Sequence, residues 1–386
     1  MSSWSSETVP FWAAASLVRE SNAPQGCVIS MDGMESWTGK LTGVESDSTA
    51  SGTPFQRGDV LFGKLRPYLA KSWLADESGT AQGDIHVYRP HAGIHPEYLA
   101  YIIRSREFVR FANAASEGVK MPRVEWPKLR SYDIPLPDLP TQRRIADYLD
   151  RETAQIDAMA GALDGLVARL EERRRGLFKI ATGNATRASL AVISKITLGK
   201  MLDGNKNKGM PTPYIRAANI KRTGRIDTDG LKLMKVTPTE TATYSLRADD
   251  IIMVEGGDAG RVGYVNQDLP GIAFQKTVMR IRCYTEAAFP RYVYYALDDA
   301  HKSGRVSLDY SLSTIPHFPA EKAARLEIPL PPLDEQRRIA DYLDAETAKI
   351  DAMIAKAGEL RALLDERRSA LITATVTGQH PVPEEH

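Results

Sequence analysis

The stretch Gln142-Arg-Arg-Ile-Ala-Asp-Tyr-Leu-Asp150 occurs a second time, without a single change, at residues 336–344. The same offset of 194 residues relates the whole of residues 134–178 to residues 328–372, and 28 of these 45 aligned positions are identical without a gap. Identity over such a length at one constant offset indicates an internal repeat. The chain therefore consists of two globular regions, each followed by a copy of the same segment.

Each copy of the repeat predicts one long helix with a coiled-coil seam. Apolar side chains recur in alternating steps of four and three residues, which is the heptad spacing of coiled coils. The Ile-Pro-Leu-Pro that opens each copy prevents the helix from beginning earlier. The predicted seam consists of Ile145, Leu149, Glu152, Ile156, Met159, Leu163, Leu166, Leu170, Arg173 and Leu177 in the first copy, and of Ile339, Leu343, Glu346, Ile350, Met353, Ala357, Leu360, Leu364, Arg367 and Leu371 in the second.

The two polar positions in each seam indicate how the helices pair. Each seam has a glutamate near its start and an arginine near its end. In an antiparallel pair Glu152 lies near Arg367, and Glu346 lies near Arg173. A parallel pair would place like charges beside each other in a partly desolvated seam. We therefore predict an antiparallel coiled coil made by the two helices of one chain.

Composition and charge are those of a globular protein with two or three domains. The chain has 386 residues, of which 42% are hydrophobic and 26% charged. The net charge of +1 hides a basic second region, because residues 186–327 carry 21 Lys and Arg against 15 Asp and Glu. A protein that gripped DNA alone would be more basic, so any DNA binding is local or shared with a partner. The two distant cysteines and the absence of a signal-peptide pattern or long apolar run predict a cytoplasmic protein without a membrane span.

Both globular regions are predicted to be mixed α/β. Short β-branched segments bounded by Gly- and Asp-rich turns predict strands. One helix is expected in each region, near residues 98–112 and 292–301. The predicted strand segments are 60–62, 85–88, 251–254 and 278–282. The expected domain boundaries are 1–133, 134–185, 186–327 and 328–386, which alternate globular domain and helical spacer, the last with a C-terminal tail.

The sequence lacks the motifs of a catalytic site. It has neither the Asn/Asp-Pro-Pro-aromatic tetrapeptide of amino-methyltransferases nor a phosphate-binding loop, because Gly256–Gly260 lacks the Gly-Lys-Ser/Thr ending. The seven histidines show no metal-ligand spacing. Asp249 and Asp250 could be paired catalytic carboxylates, but their place before a strand favours a turn. We therefore predict a non-catalytic protein with no metal of its own.

The repeated Pro-Leu-Pro and Gln-Arg-Arg-Ile-Ala-Asp-Tyr-Leu-Asp, each leading into a long helix, resemble the conserved regions of type I restriction–modification specificity subunits. The first globular region adds Arg57-Gly-Asp-Val-Leu-Phe62, and the second adds Pro213-Tyr-Ile-Arg-Ala-Ala-Asn219. The resemblance implies two target-recognition domains, related by a pseudo-twofold axis, that each read half of an interrupted double-stranded DNA site.

The same resemblance implies the partners of the chain. Two modification subunits would supply S-adenosylmethionine-dependent adenine methylation, and restriction subunits would translocate and cleave DNA with ATP and Mg²⁺. The long helices would be the docking surface for the modification subunits. No cofactor is then expected on this chain, which would act in defence against phage.

Candidate DNA-contacting residues lie in loops rich in basic, amide and hydroxyl side chains, which suit phosphate positioning and base-edge hydrogen bonding. A solvated surface charge is the alternative for each of them, and it is the interpretation preferred for Arg104 and Arg106 on the predicted helix. The candidates are Lys64, Arg66, Tyr68, Lys71, Lys120 and Arg123 in the first region, and Asn205, Lys206, Asn207, Lys208, Lys221, Arg222, Arg225, Arg261, Ser311 and Ser313 in the second.

Two other functions remain as hypotheses. Heptads alone are commonest in dimerisation devices, so the chain could be a coiled-coil scaffold or adaptor that never reads DNA. It could also be a DNA methyltransferase or nuclease with an unrecognised site. A scaffold does not explain why two different domains precede two matching helices, and the missing motifs weigh against an enzyme.

Overall fold

A computed structural model describes residues 7–23, 25–43, 50–183, 185–203, 208–306 and 317–383. The first part of the chain contains strands β1 (Glu7–Pro10), β2 (Ala15–Leu17), β3 (Cys27–Ile29), β4 (Thr53–Phe55), β5 (Val60–Gly63), β6 (Ser72–Leu74), β7 (Gly79–Ala81), β8 (Ile85–Pro90) and β9 (Asp133–Leu136). Its helices are α1 (Phe11–Ala14), α2 (Pro96–Arg104), α3 (Arg106–Ala114) and α4 (Trp126–Leu129), followed by the long helix α5 (Leu139–Thr182).

The second part repeats this order with different lengths. Its strands are β10 (Arg187–Ser189), β11 (Ser194–Leu198), β12 (Met210–Ile215), β13 (Lys232–Val236), β14 (Ile251–Val254), β15 (Val262–Tyr264), β16 (Ala273–Phe274), β17 (Val278–Cys283) and β18 (Glu327–Pro329). Its helices are α6 (Leu190–Ile193), α7 (Pro238–Tyr244), α8 (Pro290–Lys302), α9 (Ala320–Arg325) and the long α10 (Leu333–Val376). All four predicted strand segments are confirmed as β5, β8, β14 and β17.

The chain forms two compact units, and each combines one globular region with half of each long helix. Residues 1–164 and 357–386 make the first unit, and residues 165–356 make the second. The first unit contains a four-stranded sheet in the order β2-β8-β5-β6, a three-stranded sheet in the order β3-β7-β4, and the pair β1-β9. The second contains the corresponding sheets β11-β17-β14-β15 and β13-β12-β16, with the pair β10-β18. This is the mixed α/β fold that the sequence predicts.

The Ile-Pro-Leu of each repeat is a short strand that ties the domain to its long helix. Ile134 pairs with Val9 in the antiparallel ladder of β1 and β9, and Ile328 pairs with Ala188 in that of β10 and β18. In the first copy Asp138 then caps α5, because its carboxylate accepts a hydrogen bond from the Thr141 amide at 3.0 Å. These hydrogen bonds lower the pKa of Asp138.

In the first unit, side chains of the repeated motif hold the domain on α5. The buried Gln142 accepts a hydrogen bond from the His95 amide at 2.8 Å and donates to the Gly93 and Pro137 carbonyls at 3.0 and 2.9 Å. Because His95 precedes the first residue of α2, Gln142 satisfies a free amide at the start of that helix.

Two tyrosines of α2 complete this junction. The Tyr98 hydroxyl donates to the Pro135 carbonyl at 2.8 Å, and the Tyr101 hydroxyl donates to Asp150 of α5 at 2.5 Å. Burial raises the pKa of Tyr101 to about 12, so the hydroxyl keeps its proton and remains a donor. The motif therefore recurs because its polar residues fix a domain on a helix.

The second unit makes the same contacts at the same offset. Gln336 accepts from the Phe289 amide at 2.8 Å and donates to the Pro331 carbonyl at 2.8 Å. Tyr292 donates to the Pro329 carbonyl at 2.8 Å, and Tyr295 donates to Asp344 at 2.5 Å. Two domains of different sequence thus rest on identical hydrogen-bonding groups.

The antiparallel pairing of the long helices is confirmed within each unit. In the first unit, Arg367 Nη2 lies 3.6 Å from Glu152 Oε2, so the end of α10 lies beside the start of α5. In the second unit, Arg173 Nη2 lies 2.9 Å from Glu346 Oε2, so the end of α5 lies beside the start of α10. Both are the ion pairs that the sequence predicts, and both arginine side chains remain more than half exposed.

The predicted seam is less uniform than a coiled coil requires. Nine of its side chains are buried, partly against domain cores that contain Tyr98 in the first unit and Tyr292 in the second. The buried members are Ile145, Leu149, Ile156, Leu170, Leu177, Ile339, Leu343, Ile350 and Ala357. Leu163, Leu364 and Leu371 are intermediate. Met159, Leu166, Met353 and Leu360 are 38–50% exposed.

The expectation of one helix at residues 98–112 was wrong. The chain breaks at Ser105, whose extended backbone separates α2 from α3. The Ser105 hydroxyl accepts from the Phe108 amide at 3.2 Å, which is the usual N-cap contact. The expected exposure of Arg104 was also wrong, because the side chain is half-buried and its guanidinium donates to the Thr38 carbonyl at 2.6 Å. Arg106, in contrast, is exposed as expected.

The aspartates before β5 and β14 are structural. Asp250 is buried and forms a two-pronged ion pair with Arg282 at 2.6 and 2.7 Å, and Asp59 binds Arg89 in the same way at 2.9 and 2.7 Å. The buried aspartate of this kind is therefore Asp59 in the first domain and Asp250 in the second. Asp249 lies in the turn with φ 70°, as the prediction of a turn requires.

Candidate DNA-binding surfaces

The first candidate loop of unit 1 follows β5. Arg66 and Ala70 adopt left-handed backbone with φ 52° and 48°, and between them lies a 3₁₀ turn, Pro67–Leu69. This turn leaves Arg66 exposed and Tyr68 44% exposed. A cation and an aromatic ring are thereby presented together to solvent.

The second candidate loop of unit 1 lies against the first. Residues 117–123 form a narrow turn closed by two hydrogen bonds of 2.8 Å between Glu117 and Arg123, and Arg123 also bridges to Leu65. The Arg66 amide donates to the Pro122 carbonyl at 2.7 Å. The structure therefore brings the two predicted loops of this domain into one surface, on which Lys120 is exposed.

Three of the predicted residues on this surface are already engaged within the unit. Lys71 donates to the Met31 carbonyl at 2.6 Å, Arg123 forms an ion pair with Asp84, and Lys64 lies 3.7 Å from Glu125. Arg66, Tyr68 and Lys120 therefore remain the members best placed to contact a ligand.

A buried histidine lies close to Lys64. His86 Nδ1 is 2.9 Å from the hydroxyl of the buried Tyr88. Burial, and then the charge of Lys64, lower the pKa of His86 to about 3, so the ring is neutral near pH 7. The positive charge of this surface consequently comes from the lysines and arginines.

Val119 and Met121, at the tip of the second loop, were missed by sequence reasoning. They are 105% and 54% exposed on either side of Lys120. Apolar contact is how proteins read the methyl group of thymine. The sequence signal for these two residues is an apolar pair in a loop that contains glycine. It was missed because only basic, amide and hydroxyl residues were considered as DNA contacts.

In unit 2 the predicted basic residues concentrate on one turn between Ile220 and Ile226. The Lys221 amide donates to the Arg225 carbonyl at 2.9 Å, and Arg222 and Arg225 are exposed. Gly224 closes the turn with φ 80°, and a Cβ there would lie 1.9 Å from the Tyr294 hydroxyl, so the turn needs glycine.

The other candidates of unit 2 differ in their surroundings. Lys221 forms an ion pair with Asp227 at 2.9 Å, and Lys208 is exposed. Arg261 donates to Asp258 at 2.8 Å and to the Ala217 carbonyl at 3.0 Å, which gives it a structural role. Asn205, Lys206, Asn207, Ser311 and Ser313 lie outside the described residues.

Within the described ranges, no group of three or more His, Cys, Asp or Glu could hold a metal ion. None of the helices in those ranges is both long and apolar enough to span a bilayer.

Residues 6–166 and 189–360 each match the sequence model of the type I restriction modification DNA specificity domain, and the chain belongs to this family. It is 26% identical over 288 residues to the StySPI type I restriction enzyme specificity subunit of Salmonella potsdam, a match that covers 69% of this chain and 61% of that subunit. It is 27% identical over 141 residues to the EcoDI specificity subunit of Escherichia coli, which covers 36% and 31%. The matches thus span less than two thirds of these relatives.

Solved structures share the fold. A chain of a type I restriction–modification system has a TM-score of 0.72 at 17% identity, covering 96% of this chain and 97% of that one. The HsdS subunit of Thermoanaerobacter tengcongensis has a TM-score of 0.57 at 18% identity, covering 97% of both. The predicted fold class is thereby confirmed. The curated relatives are named as specificity subunits.

Proposed function

We propose that the chain is a DNA sequence-specificity subunit that binds an interrupted, two-part site. Residues 1–133 and 186–327 would be the two target-recognition domains, and residues 134–185 and 328–386 the helical spacers. The observation that carries this proposal is the repeated junction, in which Gln142 and Gln336 each accept a hydrogen bond from the amide before a domain helix, below domains that differ in sequence. Two domains that are attached to their helices in the same way but carry different loops could recognise two different half-sites.

Within this proposal, the two loop surfaces contact DNA. In unit 1, Arg66, Tyr68 and Lys120 would lie against the duplex, and in unit 2 Arg222, Arg225 and Lys208 would do so. Exposed basic residues position a protein on phosphates, and neighbouring side chains read base edges. Lys64, Lys71, Arg123, Lys221 and Arg261 would mainly shape these loops, because each already has a partner within its unit.

The long helices would bind the partner subunits. Exposed Met159 and Leu360 in unit 1, and exposed Leu166 and Met353 in unit 2, offer apolar area on helix surfaces. Two modification subunits would dock there, and restriction subunits would join the complex. S-adenosylmethionine, ATP and Mg²⁺ would be bound by those partners, in the cytoplasm.

Methylation-aware genome sequencing of cells with and without the gene tests the proposal. We expect one adenine-methylated motif with a fixed gap to disappear when the gene is deleted, and to return with the wild-type gene. An unchanged set of methylated motifs, in cells where the modification subunit is present and active, would favour the scaffold hypothesis instead.

A further inference from the structure

A cavity of about 440 Å³ opens in unit 1 where the domain meets α10. Arg104 and Arg106 line it from α2 and α3, Arg361 and Arg368 from α10, and Trp37 from the loop after β3. The acidic residues in its wall are Asp365 and Glu366. Four guanidinium groups against two carboxylates leave the wall of this cavity with an excess of positive charge.

Arg368 is buried and Arg104 is half-buried, and the charges of both are only partly compensated. Arg368 is 5% exposed, and its Nε has no hydrogen-bond partner among the described residues. It forms an ion pair with Asp157, but Lys40 Nζ lies 2.6 Å from the same carboxylate. One carboxylate therefore serves two cations.

Arg104 is held by neutral groups. It donates to the carbonyls of Thr38 at 2.6 Å and Ala100 at 3.2 Å, and it stacks 4.4 Å from the centre of the Tyr101 ring. Burial lowers the pKa of Arg104, and burial, followed by the charge of Arg104, lowers the pKa of Arg368. Burying a charge is costly unless it is paired. An anion that entered the cavity would remove part of this cost.

The repeat supplies an internal comparison. In unit 2 the ion pair of Arg174 with Asp351 stands at the same offset as that of Arg368 with Asp157, and it borders a smaller cavity of about 130 Å³. Asp298 lines that cavity and occupies the position equivalent to Arg104. The second junction thus carries its own carboxylate where the first has a cation.

We propose that the cavity between Arg104 and Arg368 receives an acidic side chain of a protein partner. This inference rests on the proposed function, in which that partner is the modification subunit. A recess takes an inserted side chain better than the convex backbone of a duplex. Tryptophan and arginine are also the residues that dominate protein–protein interfaces.

Supplying the carboxylate from the chain itself tests the inference. Ala362 is exposed on α10 and lines the cavity, so Ala362→Glu would place an acid at its edge without disturbing the fold. We expect this variant to bind the cognate modification subunit about ten- to a hundredfold more weakly than the wild-type chain. Ala362→Gln, in which the new side chain has the same size but no charge, should lose much less affinity for the modification subunit.

A second readout uses the free chain. Ala362→Glu should raise the melting temperature at low salt, whereas Ala168→Glu, the same change at the equivalent position of α5, should not. Equal partner affinities for Ala362→Glu and Ala362→Gln would overturn the inference. So would saturable stabilisation of the wild-type chain by millimolar inorganic phosphate without any loss of partner affinity in Ala362→Glu. A wild-type chain that binds no modification subunit would instead overturn the proposed function.

Discussion

At the scale of single residues, burial decides which charged groups are structural. Two ion pairs of the second domain connect strands and loops, and their charges are already paired. They are Asp250 with Arg282 and Lys200 with Glu240. Arg66 and Arg222 differ because they project from turns into solvent. Whether a charged residue can bind a ligand therefore depends on whether the fold already gives it a partner.

The ion pair of Lys200 with Glu240 predicts a pH dependence. The hydrogen bonds of Lys200 and of the Thr237 amide lower the pKa of Glu240 from 4.5 to about 2. Since the folded pKa is depressed, the stabilisation is fully present above pH 4.5 and is lost as the pH falls from 4.5 towards 2. Urea unfolding at several pH values should show that Glu240→Gln is less stable than wild type near pH 7 and that the difference narrows below pH 4. A difference independent of pH would contradict this assignment.

Arg222 should act as a phosphate contact. We expect Arg222→Ala to weaken DNA binding by the assembled methyltransferase at every sequence. The slope of log K against log salt concentration should fall by about 0.9, the value for one lost phosphate contact. Lys179→Ala, which removes an exposed cation at the end of α5, is the control and should leave the slope unchanged. Equal slopes for Arg222→Ala and wild type would remove Arg222 from the interface.

At the scale of elements, the polar residues at the start of each long helix are as important as its heptads. Ile145 and Leu149 pack into the core of the first domain, and Gln142 satisfies the amide before α2. The helix is consequently part of the domain at that end, and it continues beyond it as a rod.

Removal of the amide of Gln142 should destabilise the first unit. Gln142→Leu keeps the volume but leaves the His95 amide and two carbonyls without partners, which costs about 2–4 kcal/mol in sum. Urea unfolding should detect the loss, and Arg143→Ala, at the exposed neighbouring position, should change stability by less than about 0.5 kcal/mol. Comparable stabilities for the two variants would show that the junction is held by its apolar contacts alone.

Sequence reasoning succeeded where a pattern extends over many residues. The pairing of Glu152 with Arg367 followed from the repeat, because the direction of two helices depends on the whole seam. It failed where one tertiary contact decides the outcome. Arg104 turns inward because Thr38 offers a carbonyl, and α2 ends because Ser105 caps α3. The candidate loops were found by composition, but their grouping depended on the Arg66 contact with Pro122, which no local pattern encodes.

At the scale of the whole molecule, one design is used twice. Each unit has a four-stranded sheet with the same strand order, the same tyrosine contacts to the Pro-Leu-Pro segment, and the same glutamine beneath the first residue of a domain helix. The units differ in their three-stranded sheets, whose central strand is β7 in the first and β12 in the second, in their loops, and in the cavity beside Arg368.

Exchange of one domain tests this modular arrangement. A chimera in which residues 186–327 are replaced by the matching region of a related subunit should methylate a motif with one half changed and the other half and the gap retained. Methylation-aware sequencing would reveal the new motif. A chimera that folds and binds its modification subunit but alters both halves would contradict the assignment of one half-site to each domain.

The joint beneath each domain is built around an uncharged amide, Gln142 or Gln336, that bonds only to backbone groups. Dissolved salt weakens interactions between charged groups, but it scarcely changes hydrogen bonds between neutral groups. Under the proposed function, changes in cellular ionic strength should therefore alter how long the chain stays on DNA but should leave the orientation of each domain on its helix, and so the selected sequence, the same.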